Sequence, residues 1–299
     1  MKGQTKLKII VTGAGGQVGR ELQRYINGLS RETELFALTR RDLDVTDAAQ
    51  VEKTIQEIKP DWVINAAAYT AVDQAEDDKK LAHAINSEAV GTLAKVCQET
   101  QSRLMHISTD YVFDGDSSSS YVPTDATNPI NIYGKSKLSG ELQILHTLGE
   151  DTLIIRTGWV YSVYGHNFVK TMVRLMQERE RLQVIDDQVG SPTWGGELAR
   201  VIMLAVIKDA RGLYHWTDAG VASWYDFANA ILRNGKRLGV LQKEIEIVPI
   251  STEEYPTKAR RPKNSVMCKR SIRAALDYRG RHWRETLEDM LTDVKNGVE

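Results

Sequence analysis

Lys8-Ile9-Ile10-Val11-Thr12-Gly13-Ala14-Gly15-Gly16-Gln17-Val18-Gly19 carries a short apolar strand into a glycine-rich turn, and Arg20 to Ile26 continue it with helical character. Glycines at 13, 16 and 19 suit a tight turn, close approach of backbone to a pyrophosphate, and close helix–strand packing. The helix start then offers free N–H groups and the positive end of its dipole to phosphate. A glycine-rich turn alone is common between a strand and a helix. As the first strand, followed by a helix and a second strand, this one predicts dinucleotide binding. No Gly-Lys-Ser/Thr follows, which excludes a Walker-type loop.

Outward from this turn, strands are expected at 7–12, 34–38, 61–65, 103–108 and 152–156, with helices at 17–28, 47–58, 79–100 and 130–148. Short apolar strands alternating with amphipathic helices imply a parallel sheet covered on both faces. The expected fold class is α/β: a doubly wound parallel sheet of the Rossmann type with a second, smaller α/β substrate domain. Residues 1–157 would form the dinucleotide-binding domain and 158–299 the substrate domain, the chain returning to the sheet around 194–216. Beyond the sheet, segments near 166–181, 194–208, 223–235 and 283–295 read as helices. There are no internal repeats, and Ser117 to Ser120 reads as a loop tip.

Composition narrows the function classes. The chain has 299 residues, 41% hydrophobic and 26% charged, as in an ordinary globular protein. A net charge of −1 supplies no field to draw it to nucleic acid or an anionic membrane. Cys97 and Cys268 form no CxxC and no disulfide framework, and the six histidines show no ligand spacing, so no metal site is expected. The N-terminal apolar run, Ile9 to Val11, is too short for a signal peptide. No stretch approaches the ~18 apolar residues of a membrane span. A cytoplasmic protein is the expectation.

Cofactor choice is read at the end of the second strand, where an acidic residue bonds the ribose diol and arginine accepts a 2′-phosphate. Here Thr39-Arg40-Arg41 precede the first carboxylate, Asp42, so NADPH is favoured and NADH is the alternative. Asp44 and Val45 follow within reach of the adenine edge. Asn65-Ala66-Ala67-Ala68-Tyr69 ends a later strand, and its small side chains let backbone pass under a nicotinamide ribose and phosphate. Tight helix–sheet packing would account for the same residues.

Tyr133-Gly134-Lys135-Ser136-Lys137, preceded by Ser108-Thr109-Asp110, carries the chemistry. A phenol four residues before an ammonium lies on the same helix face. An opposite charge so close typically lowers a pKa by roughly 1–3 units, so Tyr133 is expected to ionise more readily than free tyrosine. An isolated pair of this kind is more often a solvated helix face. Beside a dinucleotide turn, it becomes an acid catalyst for carbonyl reduction: Thr109 bonds the developing oxyanion, Tyr133 delivers the proton, and Lys137 steadies the tyrosinate.

These motifs resemble the extended short-chain dehydrogenase/reductases. Within them, the chain is similar to the dTDP-4-dehydrorhamnose reductase family across nearly its full length. The resemblance rests on Asn65-Ala66-Ala67-Ala68-Tyr69-Thr70-Ala71-Val72-Asp73, Ser108-Thr109-Asp110-Tyr111-Val112-Phe113-Asp114-Gly115 and Arg156-Thr157-Gly158-Trp159-Val160-Tyr161. Asp187-Gln188-Val189-Gly190-Ser191-Pro192-Thr193 and Arg261-Pro262-Lys263-Asn264-Ser265 complete it. It implies cofactor contacts at Gly16, Gln17 and Val18, with Lys137 on the nicotinamide ribose. Thr109, Asp110 and Trp159 would touch a sugar nucleotide and Tyr133 would donate the proton. The implied reaction reduces the 4-keto group of dTDP-4-dehydro-L-rhamnose, for cell-surface polysaccharide. A homodimer and Mg²⁺ come with the resemblance alone, and the sequence places no metal ligands.

Nucleotide-sugar dehydratases of the same superfamily carry glutamate directly after Thr-Asp to abstract a proton. Tyr111 stands there, a poor base, and Asp110 departs from the small residue usual in epimerases. Lys258, Arg260, Arg261, Lys263, Lys269 and Arg270 cluster as a candidate diphosphate grip, with Arg261 the chosen contact, although a solvated basic loop would look alike. Two alternatives stay open: reduction of another nucleotide-linked ketosugar, or an NADP-binding regulatory subunit of methionine adenosyltransferase.

Overall fold

The computed structural model describes residues 6–30 and 32–298. Strands β1 (Leu7–Thr12), β2 (Thr33–Leu38), β3 (Trp62–Asn65), β4 (Arg103–Thr109) and β5 (Leu153–Thr157) alternate with helices α1 (Gln17–Asn27), α2 (Ala48–Ile58), α3 (Val72–Ala75), α4 (Lys79–His83), α5 (Ala89–Thr100) and α6 (Ile132–Leu148). Beyond them come β6 (Val160–Tyr161), α7 (Phe168–Glu178), β7 (Arg181–Ile185), β8 (Val189–Gly190), β9 (Thr193–Trp194), α8 (Gly195–Ile207) and β10 (Gly212–His215). The chain ends with β11 (Ala222–Ser223), α9 (Trp224–Leu238), β12 (Glu246–Ile250), α10 (Arg270–Leu276) and α11 (Trp283–Lys295).

The central sheet runs β10-β5-β4-β3-β1-β2, with every pairing parallel. Parallel neighbours need crossover helices, and these cover both faces. Alternation sorts the strand residues: Ile9, Val11, Ile64 and Ile155 pack under α1, α8 and α10, while Ile10, Val63, Leu104 and Ile154 pack under α2, α5 and α6. β1 pairs with both β2 and β3, so successive connections leave it in opposite directions. Such a switch point opens a crevice at the carboxyl ends of the strands.

A second core joins α7, α9 and α11 to β7, around Phe227, Ile231, Trp283 and Leu287. β10 lies in the central sheet, and α8 packs on α1. The parallel pair β7–β12 was not anticipated. The expected helix at 166–181 stops at Glu178, and alternating burial of Leu182 and Val184 begins at once. The expected helix at 79–100 is one run interrupted by a π segment, Ala84–Glu88. Among the described residues no helix is long and apolar enough to cross a membrane.

Candidate active site

A cleft of about 470 Å³ opens at the switch point. Gly16, Gln17, Val18, Ala67 and Ala68 line one side, and Thr109, Asp110, Tyr133, Lys137 and Trp159 line the other. The glycine turn is packed tightly against its own backbone. A Cβ on Gly13, whose φ is +65°, would sit 2.5 Å from the Ala67 nitrogen, and one on Gly19 would sit 2.4 Å from the Gly13 carbonyl oxygen. Gly16 caps α1 without a side-chain hydrogen bond, leaving the first N–H groups of the helix free for phosphate.

Helix α6 is set by local chemistry. Asn131 caps α6, its side chain accepting from the Gly134 N–H at 2.8 Å, which places Tyr133 in the first turn and Lys137 one turn on. Gly134 is needed there, since a Cβ would meet the Tyr111 carbonyl oxygen at 2.1 Å. The π segment brings the Asn86 backbone against Gly140, where a Cβ would meet the Asn86 carbonyl oxygen at 2.2 Å. Asn86 then donates to Ser136 Oγ at 3.0 Å and pairs with both backbone groups of Tyr69. The π turn therefore ties the Asn65–Tyr69 segment to α6.

The acid group differs from expectation. Tyr133 is pushed up to about 12, because burial outweighs the hydroxyl of Thr109 that draws it back. Lys137 does not lower it, because Nζ turns to the Ile107 carbonyl at 2.6 Å and His106 Nε2 at 3.1 Å. Burial draws Lys137 down to about 8, opposed by Glu141 one turn further on. Glu141 itself holds the buried Arg156 of β5 through contacts at 2.7 and 3.0 Å and accepts from Ser108. Tyr133 stands as a protonated phenol, ready to give rather than take a proton. Tyr111 packs edge-on against it, ring centroids 5.7 Å apart, and burial raises its phenol far above the usual range.

Asp110 lies beside Thr109, accepting its hydroxyl at 3.0 Å, and burial raises its carboxyl to about 6. Its second oxygen is enclosed, and the Ser265 hydroxyl is close enough to hold the carboxyl below where burial alone would set it. A Cβ on Gly158 would strike that carboxylate at 2.5 Å. Trp159 follows with φ +52°, rare for a bulky residue. Its ring stacks flat on Trp224, centroids 3.5 Å apart, and fills the place of a side chain at Gly190. Packing holds the strained backbone, and the indole borders the cleft.

Other expected residues lie elsewhere. Tyr69 turns its hydroxyl to Asp78 at 2.9 Å, so only its neighbours Ala68 and Thr70 reach the cleft. Arg40 is exposed on the loop after β2, 3.6 Å from Asp44, whose carboxylate also takes the Thr46 hydroxyl; Val45 is buried. The basic cluster does not act as one grip. Arg261 is paired with Asp73 at 2.6 Å and Lys258 with Asp77, while Lys269 is buried and Arg270 bonds Cys268. Opposite charges absent from the basic string, but near in space, absorb it. Arg261 still lines a second groove of about 660 Å³ with Arg179, Arg181, Tyr255 and Trp224. Trp224 borders both hollows. Among the described residues no group of three or more His, Cys, Asp or Glu is gathered to hold a metal ion, and nothing supports the expected Mg²⁺.

Comparison with known proteins follows the same geometry. The family model described as RmlD substrate binding domain matches residues 7–296. The chain belongs to this family. The dTDP-4-dehydrorhamnose reductase of Burkholderia thailandensis is 42% identical over 93% of this chain and 96% of that protein. That of Aggregatibacter actinomycetemcomitans is 41% identical over 95% and 98%. Among solved members of the RmlD family, the dTDP-4-dehydrorhamnose reductase of Bacillus anthracis in complex with NADP superimposes with a TM-score of 0.90. It is 37% identical, covering 97% of this chain and 100% of that one. A UDP-glucose 4-epimerase from Brucella ovis, at 17% identity and a TM-score of 0.77, shares the fold alone.

Proposed function

We propose that this chain is an NAD(P)H-dependent reductase converting the 4-keto group of dTDP-4-dehydro-L-rhamnose to the alcohol of dTDP-L-rhamnose. The observation that carries this reading is the convergence of Thr109, Tyr133 and Lys137 in one cleft beside the glycine turn. Relatives at about 40% identity over most of the chain bear that reductase's name.

Gly16, Gln17 and Val18 would hold the pyrophosphate, and Ala67, Ala68 and Lys137 the nicotinamide ribose. When bound, the reduced nicotinamide supplies a hydride to the carbonyl carbon. Thr109 then hydrogen-bonds the oxygen as charge builds on it, and Tyr133, protonated through the neutral range, delivers its proton there. Asp110, which lines the cleft, would sit against the sugar, and it holds the Thr109 hydroxyl at 3.0 Å. Trp159 would wall the sugar, and the groove lined by Arg261 would take the nucleotide. Tyr111, held protonated, cannot abstract the neighbouring carbon's proton, so elimination is disfavoured. Arg40 favours NADPH.

A sibling substrate has one observation in its favour: a Streptomyces niveus relative, 39% identical over 93% of this chain, is named dTDP-4-keto-6-deoxy-D-glucose reductase. The deciding experiment follows NADPH oxidation with dTDP-4-dehydro-L-rhamnose, dTDP-4-keto-6-deoxy-D-glucose, and no sugar. Turnover with neither sugar overturns the proposal.

A further inference from the structure

The loop between β6 and α7, residues 162–167, lies against the first turns of α1, the helix that leaves the glycine turn. Ser162 donates to Glu21 at 2.6 Å, both side chains being buried, and the Arg20 guanidinium covers the Tyr164 ring at 4.2 Å. Gly165, at φ +65°, leaves room for Gln17, since a Cβ there would sit 2.9 Å from Gln17 Cγ. Asn167 closes the loop. It caps α7 and also reaches Gln17, 150 residues away in the chain.

The partners of Asn167 fix the orientation of its amide. The Lys170 N–H can only donate, so the group 3.1 Å from it is the Asn167 oxygen. The Ser162 carbonyl can only accept, so the group 2.6 Å from it is the NH₂. The other hydrogen of that NH₂ goes to Gln17 Oε1 at 3.0 Å. Gln17 is thereby turned with its oxygen toward the loop, and its own NH₂ has no partner among the described residues. Gln17 lines the cleft between Gly16 and Val18, where the start of α1 presents its free N–H groups. An anion there gains a further donor when the glutamine NH₂ faces it, and meets a lone pair when the amide is reversed.

We propose that Asn167 is a positioning residue for the cofactor, holding the Gln17 amide so that its NH₂ is offered to the diphosphate of the dinucleotide. The assignment rests on the cofactor half of the reductase reading and is independent of which sugar is reduced. One amide serves two hollows, because α7, which Asn167 caps, carries Phe168, Thr171, Met172 and Leu175 along the second groove. Substitution separates the two services. Aspartate caps a helix as well as asparagine does, so Asn167→Asp keeps α7. Its carboxylate has no hydrogen to give, and it would face Gln17 Oε1 and the Ser162 carbonyl, both acceptors. The Gln17 amide then turns its NH₂ inward and its oxygen toward the phosphate. The Ser162–Glu21 and Arg20–Tyr164 contacts do not involve Asn167 and keep the loop on α1.

The test is isothermal titration of the full-length protein with NADPH and, separately, with dTDP. Asn167→Asp should weaken NADPH by about tenfold or more, the weight of one hydrogen bond to a charged group, and leave dTDP at its wild-type affinity. In a Gln17→Met background the same substitution should cost little more, because no amide remains to turn. Unchanged NADPH affinity overturns the proposal. An equal loss for both ligands also overturns it, since Asn167 would then act only as the cap of α7. A full loss in the Gln17→Met background overturns it too, because the new charge would be repelling the phosphate directly. If Asn167→Asp fails to fold, NMR of the ¹⁵N-labelled wild type decides, with the Gln17 NH₂ signals assigned by their loss in Gln17→Met. Those signals should move when NADPH is added, and signals that stay in place overturn the proposal. Wild type that binds NADPH yet reduces no ketosugar would refute the reductase reading, while the titrations still decide on Asn167.

Discussion

Glu141→Gln tests whether the buried charge on α6 is as tightly balanced as the geometry indicates. Glu141 and Arg156 are 1% and 4% exposed, and the guanidinium reaches both carboxylate oxygens. Breaking a buried pair from one side typically costs about 3–5 kcal/mol, because the remaining charge is left without compensation. The amide keeps the shape and one acceptor oxygen for Arg156 and Ser108, so the lower end, about 3 kcal/mol, is expected. At roughly 2–3 °C per kcal/mol for a chain of this size, Tm should fall by roughly 6–9 °C in differential scanning calorimetry. The double variant Glu141→Leu with Arg156→Met removes both charges and should recover most of that loss. Glu141 also opposes the burial that lowers Lys137, so the single variant should titrate Lys137 at still lower pH. A single-variant loss below about 1 kcal/mol, or a double variant worse than the single, would refute the reasoning.

Tyr133→Phe should lower kcat by about 10²–10⁴, the usual contribution of a positioned acid, while NADPH affinity by fluorescence titration stays close to wild type. Wild-type turnover in that variant would remove Tyr133 as the proton donor. Arg40→Ala should weaken NADPH about tenfold more than NADH, the order of one charge-assisted hydrogen bond, and equal weakening would sink the 2′-phosphate assignment. Asp218 accepts from Trp194 N–H at 3.0 Å and the Thr286 hydroxyl at 2.7 Å, yet burial raises it to about 7. The folded protein then keeps a proton that the unfolded chain has released, so this contribution is present at low pH and lost as pH rises through about 7. In urea unfolding between pH 4 and 8, wild type should lose stability relative to Asp218→Asn as pH rises, and parallel curves would contradict it.

Local pattern made much of this protein legible in one dimension. The strands at 7–12 and 103–109 and the helices over 17–27, 132–148 and 283–295 announce themselves by apolar period, glycine punctuation and caps. The glycine turn and the Tyr133/Lys137 spacing also follow from local rules, since a turn needs its glycines and a helix repeats every ~3.6 residues. β7 and β12 escaped because each acquires its pairing from a partner 65 residues away. Trp224, His106 and Asn86 escaped because nothing around them in the chain marks them as neighbours of the cleft.

Tertiary structure decided everything that depends on distance through space. Arg261 reads as a free cation until Asp73, far off in the chain, is folded against it. Tyr133 and Lys137 share a helix face by periodicity, yet burial and the partners on β4 set their protonation, reversing the simple pairing. Sequence spacing places side chains on a surface. Solvent removal and long-range hydrogen bonds, which exist only once the sheet is assembled, determine what those side chains are as acids and bases.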